Sequence, residues 1–320
     1  MTKDKKNKIK GIFKDQRFFL VLVIAVLVAV VSCINPKFIR LNNIMTILQQ
    51  ISVLGILTMA MSMLLISGGM DMSVGNMMTL TAVITATALK NGLSLGVGIL
   101  LSVVVAVICG FINGYIITKS KCMPMIVTLG TSQVFYGISL LITGGSFLSF
   151  QGTLEFMRKI TIFNTIPLMV LVMIAVVAFM YILLNRTKFG RRIVAMGGNE
   201  KNAYLSGVKV NLYKILTYMI AGALVSIAGV VFAARMNSIA PTAGSGYELD
   251  ALMASVIGGV TFEGGRGTVL GALLGCLLTG IISSALDILG VDAYWKITIT
   301  GIIIVGAVVI SNIDAMRKSK

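Results

Sequence analysis

The sequence predicts an all-α integral membrane protein with about ten transmembrane helices. Three observations carry that reading. Of the 320 residues, 57% are hydrophobic and only 12% are charged, about half the charged share of a soluble domain. The apolar residues fall in blocks, most of them long enough to cross a bilayer, which takes roughly 20 residues. The 27 bases, against 11 acids, cluster beside these blocks and lack interleaved aromatic residues. Such placement marks membrane topology rather than a nucleic-acid surface, so no nucleic-acid partner is expected.

In chain order, a basic tail (1–17) with seven bases leads into the first apolar block, 18–34. This pair imitates a signal peptide, and Val30-Val31-Ser32-Cys33 imitates a lipoprotein cleavage site. No soluble domain follows, so an uncleaved first span is expected. Blocks 44–66, 72–89, 95–117, 125–142 and 162–184 come next. A polar stretch, 185–214, interrupts the series. Blocks 215–234, 251–262, 268–289 and 294–311 complete a membrane domain of 18–311, and a short tail, 312–320, closes the chain. The eighth block is short and is broken by Gly258-Gly259 and Gly264-Gly265. A broken or tilted helix is expected there.

Basic residues set the orientation. With the N-terminus in the cytoplasm and ten crossings, the inside segments hold the seven bases of the tail, Lys119, Lys121, seven more across Arg186–Lys214, Arg266, and Arg317, Lys318 and Lys320. Outside fall only Lys37, Arg40, Lys90, Arg158, Lys159 and Arg235. Lys296 begins the last span. Omitting the eighth crossing alone would move the C-terminal bases outside, a poorer fit. Both ends are therefore expected inside, and 185–214 is a cytoplasmic segment.

Four scattered cysteines (Cys33, Cys109, Cys122 and Cys276) form no CxxC pair, so neither a metal site nor a disulfide framework is implied. The chain has no histidine, which removes the commonest general base. No span carries two carboxylates at helical spacing, and neither a phosphate loop nor a dinucleotide fingerprint occurs. An enzyme is not expected, and no cofactor is expected on this chain. If the protein moves a solute uphill, another chain must supply the energy.

Three polar stretches are candidate sites. In "GGNEKNAYLSG" (197–207), the glycine pair breaks the chain, Asn199 is a good N-cap and Gly207 suits a C′ position. Between them Glu200–Ser206 would form about two turns, too little to stand alone in water. Ala203 and Leu205 offer apolar contacts to something, and bases outside the helix can meet lipid headgroups or an acidic partner; otherwise the stretch is an ordinary cytoplasmic loop whose bases only enforce topology. In "SGGMDMSVG" (67–75), Asp71 either N-caps the third span or shapes a translocation path or gate. Ser73, Asn76 and Thr79 extend that polar face. In "PTAGSGYELD" (241–250), expected on the outer side, Glu248 and Asp250 either pair with Arg235 or dock an outside partner.

These stretches, with "NPKFIRLNNIMTIL" from Asn35, "NGYIITKSKCMPMIVTLGT" from Asn113, "LITGG" from Leu141, "FGRRIVAMGGNEKNAYLSGVKV" from Phe189 and "APTAGSGYELDALMASVIGGVTFEGGRGTVLGALLG" from Ala240, occur in the order and spacing of a known family. Over nearly the whole chain after about residue 34, the sequence resembles permease subunits of the ribose/xylose/galactose class of ATP-binding-cassette importers. The resemblance implies a fold of two inverted halves in a bacterial inner membrane. It implies an ATPase partner that binds the ATP, an extracytoplasmic sugar-binding protein, and a second permease subunit, identical or different. It also implies that 197–207 is the helix that docks on the ATPase, through Gly198, Asn199, Glu200, Ala203, Ser206 and Gly207. The chain departs from the family at Ser284-Ala285, where Asn-Gly is usual, at Asp287, at Glu263 in the glycine-rich turn and at Trp295. Nucleosides or branched-chain amino acids are the alternative cargo. A self-contained secondary transporter is the alternative class.

Overall fold

The computed structural model describes residues 16–162, 166–292, 294–299, 301–303 and 305–306. Most of the tail 1–17, the tail 312–320 and the end of the tenth block lie outside the described residues. The helices are α1 (Gln16–Ile34), α2 (Leu41–Ile66), α3 (Val74–Lys90), α4 (Leu95–Ser120), α5 (Pro124–Thr143), the short α6 (Phe156–Lys159), α7 (Leu168–Arg186), α8 (Lys188–Gly198), α9 (Glu200–Leu205), α10 (Val210–Met236), α11 (Tyr247–Ile257) and α12 (Val269–Ile288). Residues 294–299 are also helical. Two-residue strands β1 (Leu148–Ser149) and β4 (Ser238–Ile239) pair antiparallel, as do β2 (Thr161–Ile162) and β3 (Ile166–Pro167).

Among the described residues, seven helices are long and apolar enough to cross a membrane: α1, α2, α4, α5, α7, α10 and α12. The expected all-α membrane fold is borne out, with about ten as an approximate count. α3 has 17 residues, about 25 Å, against a hydrocarbon core of about 30 Å. α11 has 11 residues, about 16 Å. The eighth block is thus a half-length helix, too short to span by itself. Irregular backbone flanks it on both sides. That backbone is tolerable because it is enclosed by protein: Pro241, Gly244 and Val260 are buried.

Helix α2 is the axis of the bundle. Every residue from Ile51 to Ile66 is buried, with α10, α11, α12 and α7 packed around it. Small residues make the approach possible. A side chain at Gly275 of α12 would strike the Ala254 carbonyl of α11, and one at Gly222 of α10 would strike the Ala106 carbonyl of α4. Lipid offers apolar groups no reason to leave it, so helices in a membrane associate through such close packing.

The segments sort by end as alternate crossings require. At one end the α2–α3 loop, the α8–α9 corner and the α11–α12 turn meet, with the Gly265 amide donating to the Ile66 carbonyl at 2.9 Å. At the other end β1 pairs with β4, the Gly152 amide donates to Asn237 Oδ1 at 3.0 Å, and Asn35 Nδ2 donates to the Ile288 carbonyl at 3.4 Å.

Candidate functional site

The polar stretch after α7 folds into two helices at a corner. Thr187 starts α8 by accepting from the Gly190 amide at 3.2 Å. Gly190, Ile193 and Met196 are buried while Arg191 and Arg192 face outward. α8 ends at Gly197-Gly198. Asn199 Oδ1 then accepts from the Asn202 amide at 2.8 Å and starts α9. Gly207 takes φ 82°, a left-handed C′ position that suits glycine. Its amide donates to the Tyr204 carbonyl at 2.9 Å and the Val208 amide donates to the Ala203 carbonyl at 3.1 Å. Ser206 Oγ donates to the Asn202 carbonyl at 2.8 Å, and Lys214 Nζ meets Glu200 Oε2 at 2.6 Å. The expected cap, stop and short helix are all formed.

Helix α9 turns its apolar face two ways. Ala203 is buried, but Tyr204 and Leu205 are 70% and 72% exposed. Leu205 therefore does not seat α9 on the bundle, as an inward apolar contact would have. It stands free beside Tyr204, with Lys201 and Lys209 also exposed. Helix α8 was not expected from the sequence, although Gly190, Ile193 and Met196 already repeat at helical spacing.

The corner is welded to two other loops by glycines. A side chain on Gly197 would strike the Ile66 carbonyl. One on Gly265 would lie 2.6 Å from Gly198 Cα, and one on Gly264 would lie 3.0 Å from Gly68 Cα. The α8–α9 corner, the α2–α3 loop and the α11–α12 turn therefore touch backbone to backbone.

Asp71, in the α2–α3 loop, is 1% exposed. Its Oδ1 accepts from the Ser73 amide at 2.7 Å and from Ser73 Oγ at 2.5 Å. Its Oδ2 accepts from Asn113 Nδ2 of α4 at 3.2 Å. The N-cap of α3 is Ser73, which makes no side-chain cap bond. Asp71 instead closes a turn one step earlier. Thr128 of α5 accepts from the Met72 amide at 3.0 Å, and the Tyr218 hydroxyl of α10 donates to the Met70 carbonyl at 2.8 Å. Asn76 Nδ2 donates to Ser132 Oγ at 2.9 Å, and Thr79 bonds back to the Gly75 carbonyl at 3.3 Å. Asp71 and Ser73 are brought together; Asn76 and Thr79 serve other contacts. Asn113, Thr128 and Tyr218 are partners that local sequence reading missed.

The stretch 241–250 does not form an outer loop. Gly244 packs against the Gly75 carbonyl in the first turn of α3, so the chain dips into the bundle before α11 begins. The expected ion pairs are not made: among the described residues no carboxylate lies within ion-pair distance of Arg235. Arg235 addresses Tyr247 instead. Glu248 Oε1 accepts from the Gly246 amide at 3.2 Å. The dip turns both carboxylates away from the end of α10. Asp250 lines a polar cleft with Gln50 of α2, Tyr247 of α11, Thr279 and Ser283 of α12, and Lys296.

A bundle of apolar helices packed about α2, with a half-length helix inside it and a short helix held out at one end, is the architecture of a multi-pass membrane protein. The chain belongs to the family described as the permease component of branched-chain amino acid transport systems, which matches residues 43–308. It is 37% identical over 313 residues to the ribose import permease protein RbsC of Bacillus subtilis, covering 97% of each chain. It is 33% identical to the Escherichia coli K12 protein of the same name, covering 95% of each. The galactose/methyl galactoside import permease protein MglC of E. coli K12 is 34% identical, over 93% of this chain and 94% of its own. No solved structure matches.

Proposed function

We propose that this chain is the membrane-spanning subunit of an ATP-driven, binding-protein-dependent importer of a monosaccharide, ribose or a related pentose or hexose. Relatives that match over 93–97% of the chain and are named for ribose and galactose import favour this cargo. The observation that carries the mechanism is α9: a six-residue helix that presents Tyr204 and Leu205 to the outside. So short a helix gains from a partner surface, and exposed large apolar groups mark one. Its occupant is a separate ATPase, which binds the ATP, since this chain has no phosphate loop.

Residues 18–311 form the pathway domain and 185–214 the coupling segment, with Gly198, Asn199, Glu200, Ala203, Ser206 and Gly207 shaping the docked helix. Both termini lie in the cytoplasm of a bacterial cell, beneath its inner membrane. Asp71, Ser73, Asn76 and Thr79 belong to the gate: Asp71 and Ser73 close the α2–α3 loop that touches the coupling corner, and Asn76 ties the start of α3 to Ser132 of α5. Arg235 stays near the outer end for an extracytoplasmic sugar-binding protein, while Glu248 and Asp250 face inward. Helix α5 is suited to a second permease subunit. It has the lowest mean hydropathy of the seven, 1.6, yet only 22% of it is buried, and Gly130 and Gln133 are exposed on it.

Reconstituted complexes test the coupling. Glu200→Arg removes the Lys214 pair, and Gly207→Pro demands a φ that proline cannot adopt. Both are expected to abolish substrate-stimulated ATP hydrolysis while the chain still inserts. Full stimulation and assembly in both would remove α9 from the coupling path. Uptake that persists without any ATPase would instead favour a secondary transporter.

A further inference from the structure

The cleft beside Asp250 is a polar site built inside the bundle. Gln50, Tyr247, Asp250, Thr279, Ser283 and Lys296 face it from α2, α11, α12 and the helical segment 294–299. Its cavity volume is about 80 Å³, below the roughly 300–1,000 Å³ of a site that encloses a small molecule, so a solute must part the helices as it passes. Gln50 precedes Ile66 by sixteen residues of helix, about 24 Å. The cleft therefore lies far from the glycine corner, in the half of the bundle nearer the β1–β4 end.

Its charges are arranged unusually. Lys296 Nζ is committed to Asp287, at 3.0 and 3.2 Å from its two oxygens. Among the described residues Asp250 has no ion pair of its own. An intramembrane carboxylate is costly and marks a functional position. Gln50 Nε2 donates to Ser283 Oγ at 3.2 Å, which leaves the Gln50 carbonyl oxygen to accept from a ligand. The Tyr247 ring, edge-on to Phe232 at 5.9 Å, adds a flat apolar wall. With the ammonium already neutralised, an incoming carboxylate would meet an uncompensated negative charge. A neutral molecule rich in hydroxyls would find two acceptors, a hydroxyl and an apolar face.

We propose that this cleft is a transit site within the permease chain for a neutral polyhydroxy solute, with Asp250 accepting its hydroxyls and Gln50 and Ser283 completing the hold. This rests on the reading of the chain as a sugar permease. The test is uptake of labelled D-ribose and D-galactose by proteoliposomes that hold the full complex, with the loaded binding protein in excess. Asp250→Asn is expected to lower uptake roughly tenfold, the weight of a charge-assisted hydrogen bond. Gln50→Ala and Ser283→Ala are expected to lower it severalfold, and they carry the test if Asp250→Asn fails to fold. Trp295, the only tryptophan, adjoins Lys296. Its fluorescence in the full chain alone, in lipid nanodiscs, is expected to respond to millimolar D-ribose, and in Ser283→Ala only at higher concentration. Normal sugar uptake in all three variants would overturn the transit site and leave the sugar reading intact. A wild-type complex that carries leucine or uridine but neither sugar would overturn both.

Discussion

Helices α1 and α2 are both apolar enough to span a membrane, but their faces meet different solvents. α1 has a mean hydropathy of 2.9 and is 11% buried, whereas α2 has 1.8 and is 67% buried. The greasier helix is the one left outside. In water the order would be reversed. Here lipid already satisfies leucine, so the interior is reserved for residues that pack closely or bond to each other. α2 holds Ser52, Thr58 and Ser62 at 0–2% exposure. Ser62 Oγ donates to Ser255 Oγ of α11 at 2.9 Å, and Ser52 and Thr58 bond back to their own helix at 2.7 Å.

The largest test of this contrast is steric. Gly275→Leu would drive a side chain into the Ala254 carbonyl and toward the Gly258 amide, 2.7 Å from its Cβ. Backbone cannot yield as a side chain can, so a loss of about 3 kcal/mol or more is expected, read as a collapsed melting midpoint in detergent. A smaller effect separates α1 from α2 directly. Leu57→Ala, at 0% exposure, leaves a cavity and is expected to cost about 2 kcal/mol. Val26→Ala on α1, where Val26 is 54% exposed, is expected to change the midpoint by less than about 0.5 kcal/mol. Equal losses at the two sites would mean that α1 faces protein rather than lipid in the assembled complex.

Periodicity and composition made the long spans legible, most to within a few residues, because one physical requirement, length of apolar helix, sets them. The half-length α11 was legible too, since glycine pairs interrupt its block. What the sequence did not disclose is depth. Nothing local says that Gly244 reaches Gly75, or that Asp71 bonds to Asn113, 42 residues away. Those contacts depend on how helices stack, and small residues permit many stackings. The Arg235 pairing failed for the same reason: proximity in sequence suggested an ion pair, and the dip of the chain before α11 removed it. The coupling corner was easier, because caps and stops are decided within a few residues.

The last prediction concerns the one carboxylate enclosed in the α2–α3 loop. Asp71→Ala would strand the Ser73 amide and one N–H of the Asn113 side chain in a buried place, costing about 1–3 kcal/mol. Asp71→Asn need not. The retained oxygen can still accept from the Ser73 amide and hydroxyl. The new amide nitrogen would face Asn113 Nδ2, donor against donor, in place of the present 3.2 Å bond. But Asn113 Oδ1 is buried without a partner, and turning the Asn113 amide over would offer that oxygen to the new donor. The turn exchanges one bond for another and gives up the 3.0 Å bond to Ser73 Oγ, so about 1 kcal/mol or less is expected. Melting and uptake measured on the same preparation separate the two roles of Asp71. A near-native midpoint with normal uptake makes its charge dispensable and its hydrogen bonds the point. A near-native midpoint with lost uptake makes the charge itself part of the gate.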